Sequence, residues 1–202
     1  MNIALIGASG RVGSRILAEL SNRGHTVTAI ARDPARVASL PGVTAIAGDI
    51  EAMEALAELV KGHDLVISSV LFSASDANKL IAAVKASGVR RYYVVGGAGG
   101  LEVAPGKMLL DTPEFPEIYK VEAQAGVDFL DKLKAEDTLN WTFLAPSAVF
   151  EPGERTGRFR LGKDQLLANE NGSNISFEDF AVALVDEIET PTHVRQRFTV
   201  GY

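Results

Sequence analysis

A short apolar run at the start of the sequence leads directly into three regularly spaced glycines. The run Ile3–Ile6 predicts a buried strand, and Gly7, Gly10 and Gly13 follow it at intervals of three residues. A helix is predicted next from apolar residues at helical spacing, which are Val12, Ile16, Leu17 and Leu20. This order of strand, tight turn and helix is typical of a dinucleotide-binding site.

Each part of the turn has a physical role in binding a pyrophosphate. The first turn of a helix leaves backbone N–H groups without partners, and the positive end of its dipole attracts phosphate. Gly7 permits the tight turn, Gly10 lets the pyrophosphate reach the backbone, and Gly13 lets the helix pack closely on the strand. A purely structural glycine turn is the alternative, but it does not require this context of strand and helix. The cofactor-binding residues predicted here are Gly7, Ser9, Gly10, Arg11, Val12 and Gly13.

Length, charge and composition exclude several other classes of protein. The 202 residues are 47% hydrophobic and 23% charged, which suits one globular domain with a substantial core. A formal net charge of −6 and the absence of a basic run argue against a nucleic-acid partner. The lack of cysteine excludes disulfides, Cys-based zinc sites and thiol catalysis. No signal peptide or membrane span is predicted, so we expect a cytoplasmic protein with no membrane partner.

Strand-like and helix-like segments alternate over the first half of the chain. Strands are predicted at Ile3–Ile6, Thr26–Ala31, Val43–Ala47, Leu65–Leu71 and Arg91–Val95. Helices are predicted after Gly13, from Pro34, from Ala52 to Val60 and over Ala74–Ser87. Alternation of this kind implies a parallel sheet with right-handed crossovers. We therefore predict the α/β class, with a doubly wound parallel sheet.

The pattern changes beyond residue 100. Leu101–Pro116 carries three prolines and is predicted to be a loop. Helices are then predicted at Glu117–Ala135 and Phe177–Glu189, the second with Ser176 as N-cap, and strands at Leu139–Leu144, Arg158–Leu161, Gln165–Leu167 and Arg197–Tyr202. No repeat or interdomain linker is visible, so we expect one domain over residues 1–202. Residues 101–116 and 146–176 are predicted to form a small C-terminal lid over the ligand, since ligands bind beyond the carboxyl ends of the strands.

The end of the second predicted strand bears on the choice between NADP and NAD. NAD-binding chains commonly place an acidic residue there, about 20 residues past the glycines, to bind the ribose diol. Here Arg32 comes first, and its guanidinium can bind a 2′-phosphate, with Arg11 as a second positive charge. The alternative is that Arg32 is a solvated charge and that Asp33 only caps the helix begun by Pro34. We predict NADP, with NAD as the alternative.

Further cofactor contacts are predicted where the later strands end. Asp49, with Ile50 beside it, follows the third strand and either hydrogen-bonds adenine or caps the next helix. The backbone at the ends of the fourth and fifth strands would line the ribose and the nicotinamide. The residues concerned are Ser69, Val70 and Leu71, and then Gly96 and Gly97. Glycines at such a place can also simply turn the chain.

The sequence resembles the atypical short-chain dehydrogenase/reductases, and within them the small NADH-flavin reductases related to biliverdin reductase B and the NmrA-like proteins. The resemblance rests on the glycine turn, on Arg32-Asp33-Pro34, Gly48-Asp49 and Val94–Gly97, and on the strings 141–148, 155–157 and 175–179, and so spans nearly the whole chain. It implies a single-domain Rossmann fold, a nicotinamide cofactor, and reduction of flavins, quinones or related acceptors. It also implies that Pro146 and Ser147 lie beside the nicotinamide.

The sequence departs from standard short-chain dehydrogenases at the catalytic pair. Those enzymes place a Lys four residues after a Tyr, on one helical face, so that the ammonium lowers the pKa of the phenol. Tyr119 is followed four residues later by Ala123, and the adjacent Lys120 points about 100° away around the helix. The proton relay for alcohol oxidation is therefore absent. Tyr119 remains a weak candidate for a proton donor, and packing of the helix against the lid is the favoured role.

Hydride transfer to a flavin or quinone depends more on stacking over the nicotinamide than on a dedicated acid. We therefore predict an NAD(P)H-dependent reductase of a flavin, quinone or similar conjugated acceptor. A non-catalytic NAD(P)-binding sensor of the NmrA-like kind and a nucleotide-sugar epimerase or dehydratase are the alternatives. A monomer and a homodimer remain equally open.

The remaining chemistry-bearing side chains give weaker signals. His25, His63 and His193 are scattered without ligand spacing, so no metal site is predicted. Trp141 and Phe143 alternate in a strand and are predicted to lie in the core. An aromatic pocket wall is predicted from three residues in strand-end loops, which are Phe72, Phe115 and Phe150.

Overall fold

An eight-stranded sheet organises the chain, and the computed structural model describes all residues from 1 to 202. The strands are β1 Asn2–Ile6, β2 Thr26–Ala31, β3 Val43–Ala47, β4 Leu65–Ser68, β5 Arg91–Val95, β6 Glu102–Ala104, β7 Lys107–Met108, β8 Asn140–Pro146, β9 Val149–Glu151, β10 Arg160–Gly162, β11 Asn174–Ser176 and β12 Gln196–Gly201. The α-helices are α1 Gly13–Asn22, α2 Met53–Val60, α3 Ala77–Ala86, α4 Lys120–Lys134 and α5 Phe177–Glu189.

The strand order of the sheet places a cleft beside β1. The order is β10-β12-β8-β5-β4-β1-β2-β3, and every neighbouring pair is parallel except β10 with β12. The chain runs outward from β1 to β3 and then returns to β4 on the other side of β1. In sheets of this kind the crevice at such a reversal binds the ligand. The predicted α/β, doubly wound Rossmann-type domain is confirmed, with one antiparallel edge strand.

Both faces of the sheet are buried, which explains the continuous apolar strands. Alternate residues of β1 point to opposite faces, so that Ile3 and Leu5 pack with α1 and α5, whereas Ala4 and Ile6 pack with α2, α3 and α4. Each face holds more than twenty buried residues, with 24 on one and 22 on the other. Trp141 and Phe143, which are 4% and 2% exposed, lie in this core as predicted.

Several predicted boundaries are confirmed and others are wrong. β2, β3, β5 and α5 have the predicted bounds, and the hydroxyl of Ser176 caps α5 by accepting from the N–H of Asp179 at 2.9 Å. The fourth strand ends at Ser68 rather than Leu71, because the chain there leaves the sheet for a short 3-10 turn. The helix that was expected from Ala74 begins at Ala77, where Asp76 caps it.

The C-terminal half contains more regular structure than the sequence indicates. The predicted loop 101–116 holds the hairpin β6–β7, and β9 pairs with β11 in a second small sheet. The segment Gln165–Leu167, predicted as a strand, forms only an isolated bridge between Gln165 and Glu102. The edge strand β10 begins at Arg160, two residues after its predicted start at Arg158. These pairings are non-local, so no periodicity in the sequence marks them.

Candidate functional site

The carboxyl ends of the central strands meet along one edge of the sheet. Ile6 at the end of β1 is in register with Ser68 of β4 and with Ile30 of β2. On one side β5 and β8 end beside β4, and on the other side β3 ends beside β2. The predicted cofactor residues that follow these strands are therefore gathered at a single edge.

The glycine turn between β1 and α1 presents a row of unused backbone donors. The N–H of Gly7 donates to the carbonyl of Ile30 at 2.9 Å, and the N–H of Gly10 donates to Gly7 at 3.0 Å. The N–H groups of Arg11, Val12 and Gly13 have no acceptor in the protein. Consecutive free N–H groups at a helix N-terminus form an anion-binding site, so this turn fits a pyrophosphate.

Two of the glycines are required by the backbone itself. Gly7 has φ +83°, and a Cβ there would collide with the carbonyl oxygen of Ser69. A Cβ on Gly13 would collide with the carbonyl of Gly7, so the helix can approach the strand only without a side chain. A Cβ on Gly10 would meet only two backbone oxygens, with 3.1 Å to the nearer one. A side chain on Gly10 would therefore be tight against the carbonyl of Gly7 but would meet no other side chain within 4 Å.

The charge around this turn favours an anion. The first turn of α1 contains no acidic residue, so nothing in the helix offsets the positive end of its dipole. The guanidinium of Arg11 lies over the ring of Phe177, 5.1 Å from its centroid, and forms no ion pair. Arg15 lies over the same ring but is neutralised by Glu178 at 3.1 Å. Arg11 is thus the uncompensated cation nearest to the free N–H groups.

The ends of β2 and β3 bring Arg32 and Asp49 together. The N–H of Gly48 donates to the carbonyl of Ala31 at 3.0 Å, and these two residues precede Asp49 and Arg32 directly. Arg32 is exposed and forms no hydrogen bond or ion pair within the chain. Asp33 accepts from the N–H of Ala35 at 3.1 Å, so its carboxylate caps the short 3-10 helix that follows.

Asp49 is held in a local turn instead of capping α2. Its carboxylate accepts from the N–H of Glu51 at 3.0 Å, and the N-cap position of α2 is Ala52, which has no side-chain bond. Ile50 is half-buried against the core. The second oxygen of Asp49 is free, so the exposed carboxylate can still accept from an adenine amino group.

The segment after β4 lies against the glycine turn. Ser69 donates its N–H to Ile6 at 2.9 Å, and the Cγ1 of Val70 would lie 3.3 Å from a Cβ on Gly7. Leu71 is 64% exposed. The backbone predicted to line the ribose and nicotinamide therefore borders the cleft, although it lies outside the strand.

Glu122 of α4, which the sequence analysis did not single out, fixes the end of this segment. Its two carboxylate oxygens accept from the N–H groups of Phe72 and Ser73 at 2.7 and 2.9 Å. A carboxylate at the start of a 3-10 turn satisfies N–H groups that would otherwise lack partners. Glu122 and Phe72 lie fifty residues apart in sequence, so no local signal marks the pair.

The ends of β5 and β8 supply backbone rather than side chains. Gly96 donates to the carbonyl of Leu144 at 2.8 Å, and a Cβ on Gly96 would collide with the ring of Phe143. A Cβ on Gly97 would have nothing within 4 Å, so Gly97 faces open space. Pro146 and Ser147 are buried, and the Ser147 hydroxyl donates to the carbonyl of Val200 at 3.1 Å. This hydroxyl serves the fold and is not free for a ligand.

Tyr119 was predicted to pack its helix against the lid, but it does not do so. Its side chain is 61% exposed and forms no hydrogen bond, because it precedes the first residue of α4 in an exposed 3-10 turn. Ala123, one helical turn later, packs closely against Gly99, where an added Cβ would lie only 2.6 Å from the Cβ of Ala123. The position of a partner Lys is thus occupied by a small residue, which lets the helix pack closely against the glycine run.

Two of the three aromatic residues predicted as a pocket wall belong to the core. Phe72 is 7% exposed and packs against Phe129 and Phe143, with ring centroids 5.2 and 5.9 Å away. Phe150 packs against Phe177 and Phe180 on the other face of the sheet. Phe72 is therefore buried in one face of the core, and the half-buried Phe150 packs against the other face. Phe115 is half-buried in the segment before α4.

The three histidines each serve the fold. His25 lies 2.9 Å from Glu189, His63 lies 2.7 Å from the hydroxyl of Thr28, and His193 pairs with Glu187 at 2.8 Å. No group of three or more His, Asp or Glu residues could hold a metal ion. None of the helices combines the length and hydrophobicity that crossing a membrane requires.

Part of the predicted lid is a strap that crosses α1 and α5. We use this name for residues 152–158, which have no regular secondary structure. The guanidinium of Arg155 donates two hydrogen bonds of 2.8 Å to the buried Glu19 of α1. Asp179 of α5, fully buried, accepts from the N–H of Gly157 at 2.8 Å and from the hydroxyl of Tyr202 at 2.7 Å. The strap therefore packs on helices instead of over the cleft.

The other parts of the two lid segments are joined beside the cleft. Glu102 donates its N–H to the carbonyl of Asp164 at 2.8 Å. Arg197 of β12 donates to the carbonyl of Gly100 at 2.7 Å and also pairs with the carboxylate of Asp164. Residues 100–102 and 164–166 therefore form one connected unit at the carboxyl edge of the sheet.

Comparisons with known proteins agree with this geometry. A family model described as NAD(P)H-binding matches residues 7–191. The chain is 41% identical to the uncharacterised protein YwnB of Bacillus subtilis (strain 168), over 99% of this chain and 98% of that protein. It is 41% identical to the structure of a "putative epimerase" from Bacteroides thetaiotaomicron, with a TM-score of 0.94 and coverage of 100% and 96%. It is 36% identical to the structure of a "putative NADH-flavin reductase" from Streptococcus pneumoniae TIGR4, with a TM-score of 0.87 and coverage of 100% and 99%.

Proposed function

Because the chain belongs to the NAD(P)H-binding family, we propose that it is an NAD(P)H-dependent reductase that delivers a hydride to a flavin, a quinone or a similar conjugated acceptor. One observation carries the proposal. The free N–H groups of Arg11, Val12 and Gly13 lie at the carboxyl edge of the sheet, beside the reversal of strand order. That is where the pyrophosphate of a dinucleotide binds in such sheets.

The bound nicotinamide supplies the chemistry, which is the transfer of two electrons and one proton as a hydride. The protein supplies position. In this proposal the glycine turn holds the pyrophosphate, and Arg32 and Asp49 hold the adenosine end. The backbone of Ser69, Val70 and Leu71, together with Gly96, Gly97 and Pro146, then lines the nicotinamide end of the cleft.

The absence of a proton relay favours acceptors that need none. Tyr119 is exposed, and Ala123 stands where a standard short-chain dehydrogenase has its Lys. A reduced quinone or flavin can take its remaining proton from water after the hydride arrives, whereas interconversion of an alcohol and a ketone needs a positioned acid or base. The same argument weighs against an epimerase, which the description of the Bacteroides thetaiotaomicron structure suggests.

The preference for NADP is proposed from the charges at the carboxyl end of β2 and before the N-terminus of α1. The guanidinium of Arg32 is exposed and unpaired, so it is free to bind a 2′-phosphate in a bidentate manner. The carboxylate of Asp33 is engaged with the N–H of Ala35 and is not placed by any hydrogen bond toward a ribose diol. Arg11, over the ring of Phe177 beside the glycine turn, is a second cation without an ion pair.

The test is steady-state oxidation of NADPH and NADH by the purified chain with FMN, FAD and a short-chain quinone in turn. We expect turnover with at least one acceptor and a lower KM for NADPH than for NADH. The description of the Streptococcus pneumoniae structure supports flavin turnover but names NADH, so the expected preference for NADPH rests on Arg32 and Arg11. Tight cofactor binding with no turnover of any acceptor would contradict the reductase and favour a redox sensor.

A further inference from the structure

Three large apolar side chains are exposed beside the proposed nicotinamide end of the cleft. Leu71, Ile118 and Tyr119 are 64%, 82% and 61% exposed. Single exposed apolar residues are common on protein surfaces, but a contiguous group marks a binding surface. We call these three residues the apolar rim.

The carboxylate of Glu122 joins the two segments that form the apolar rim. Glu122 accepts from the N–H of Phe72, and Leu71 is the residue directly before Phe72. Ile118 lies four residues before Glu122, in the 3-10 turn Glu117–Tyr119 that runs directly into α4. This hydrogen bond therefore brings together the two segments that carry Leu71 and Ile118, although 47 positions in the numbering separate them.

Tyr119 extends the apolar rim toward the next strand. Tyr119 and Ala123 lie one helical turn apart, and Ala123 packs against Gly99 in the glycine run after β5. Leu71 ends the segment that follows β4 and that begins with Ser69 against Gly7. The rim thus spans the ends of β4 and β5, on the opposite side of β1 from Arg32 and Asp49.

The chain that borders the apolar rim is acidic. Residues 102–117 contain one basic residue, Lys107, and four acidic residues, which are Glu102, Asp111, Glu114 and Glu117. Glu117 pairs with the nearby Lys120 at 2.6 Å, so these two charges offset each other, and Glu102, Asp111 and Glu114 remain against Lys107. A phosphate group that entered beside these carboxylates would be repelled, whereas an uncharged ring would not.

From the apolar rim and its acidic border we propose that the acceptor is a neutral, apolar quinone and that phosphorylated flavins are disfavoured. This inference rests on the reductase function proposed above. The overall reaction balances as NAD(P)H plus a quinone plus one proton, giving NAD(P)⁺ and the hydroquinone. The hydride carries both electrons and one hydrogen to the quinone, and water supplies the second proton.

The first experiment compares kcat/KM for a short-chain quinone, for riboflavin and for FMN at saturating NADPH. We expect the order quinone, then riboflavin, then FMN. Glu114→Lys and Glu117→Lys reverse the bordering charge, so each should raise kcat/KM for FMN several-fold relative to the quinone. Equal kcat/KM values for the three acceptors in the wild-type chain would overturn the proposal.

The second experiment removes the apolar surface. Leu71→Ser and Ile118→Ser should each lower kcat/KM for the quinone about tenfold, since burial of one such side chain contributes on that order. Leu161→Ser is the matched control, because Leu161 is 51% exposed in the edge strand β10, far from the rim. Equilibrium binding of the quinone to the NADP⁺-saturated chain gives a readout that does not depend on turnover, and it should weaken in the two rim variants only.

The outcomes separate this inference from the reductase function. If Leu71→Ser and Ile118→Ser leave turnover unchanged, the apolar rim does not bind the acceptor. The proposed reductase function is not affected by that result. Quinone binding that these variants weaken, without NADPH oxidation, would refute the reductase and support the rim as a quinone site. Sedimentation could also show that the wild-type chain is a dimer and that Ile118→Ser is a monomer. That result would overturn the proposal, because the apolar rim would then bind a second copy of the chain.

Discussion

The carbonyl oxygen of Ser69 occupies the space that a β-carbon on Gly7 would need. Gly7 directly follows β1 and Ser69 directly follows β4, so the two meet where the strand order reverses. The contact is possible because Gly7 has φ +83° and no side chain. It holds the glycine turn against the segment that borders the proposed nicotinamide end of the cleft.

Replacement of Gly7 by Ala should therefore destabilise the fold. The positive φ and the collision with Ser69 together predict a loss of about 2–5 kcal/mol in the free energy of unfolding. Gly24→Ala is the matched control, because Gly24 has φ +76° but open space around its Cβ position, and only about 1–2 kcal/mol is expected there. Urea denaturation measures both values. Equal losses in the two variants would show that the contact with Ser69 is unimportant.

Replacement of Arg32 by Ala should discriminate between the two cofactors. If the guanidinium binds the 2′-phosphate, the variant should bind NADPH about 1.5–3 kcal/mol more weakly, the range for hydrogen bonds to charged groups. NADH has no such phosphate, so its affinity should change little. Fluorescence titration with both cofactors measures this, and Arg36→Ala controls for loss of one nearby exposed charge. Equal weakening of both cofactors would mean that Arg32 only stacks on adenine or serves the fold.

Tyr119→Phe should retain most of the reductase activity. Tyr119 is exposed, forms no hydrogen bond and lacks a Lys at position 123, so nothing prepares its hydroxyl for proton transfer. Positioned acids and bases typically contribute about 10²–10⁴-fold, and we expect a loss in kcat below about tenfold. The measurement is kcat at saturating NADPH with an accepted quinone or flavin. A thousandfold loss with unchanged cofactor affinity would reveal a proton relay.

The ion pair between Glu19 and Arg155 should make stability depend on acidic pH. Hydrogen bonds from Arg155 lower the pKa of Glu19, burial opposes them, and Arg23 lowers the pKa further. The contribution is therefore present above the unfolded pKa of about 4.3, and it is lost as the pH falls through the lower folded value. At neutral pH, the free energy of unfolding of Glu19→Gln should be about 1.5–3 kcal/mol lower than that of the wild type.

The difference in the free energy of unfolding between wild type and Glu19→Gln should narrow as the pH falls below the unfolded pKa of about 4.3, and it should close once the pH has passed the lower folded pKa of Glu19, where both side chains are uncharged. Denaturation at a series of pH values measures it. Glu58→Gln is the control, because it removes an ion pair with Lys61 in which the two side chains are 74% and 59% exposed. It should lower the free energy of unfolding by less than about 1 kcal/mol. A gap that stays constant down to strong acid would contradict the assigned role of the Glu19 charge.

Local patterns predicted several elements of the fold well. The strands β2 and β3 and the helix α5 have the predicted bounds, because buried parallel strands and capped amphipathic helices carry strong local signals. Ser176 could be identified as a cap because its hydroxyl bonds a donor only three residues away. The glycine turn was also recognisable, since its geometry depends on consecutive residues.

The missed features depend on contacts between distant residues. Phe72 was predicted to line a pocket but is buried, because Glu122 fixes the N-terminus of its 3-10 turn from fifty positions away. No local signal marks the role of Asp179 as the acceptor for the strap, since its partners there, Gly157 and Thr156, lie 22 and 23 positions away. Tyr119 was expected to be packed, and only the tertiary structure shows that nothing covers it.

The central claim is that the glycine turn binds the cofactor, and NADPH titration of Gly10→Val tests it most directly. A Cβ at Gly10 meets only the carbonyls of Gly7 and Ser69, at 3.1 and 4.0 Å, so the variant should fold with a small local adjustment. Its branched side chain would extend into the open space where the pyrophosphate must reach the backbone. We expect a folded chain, verified by its thermal unfolding, that no longer binds NADPH at concentrations that saturate the wild type. Unchanged NADPH affinity in that folded variant would contradict the account.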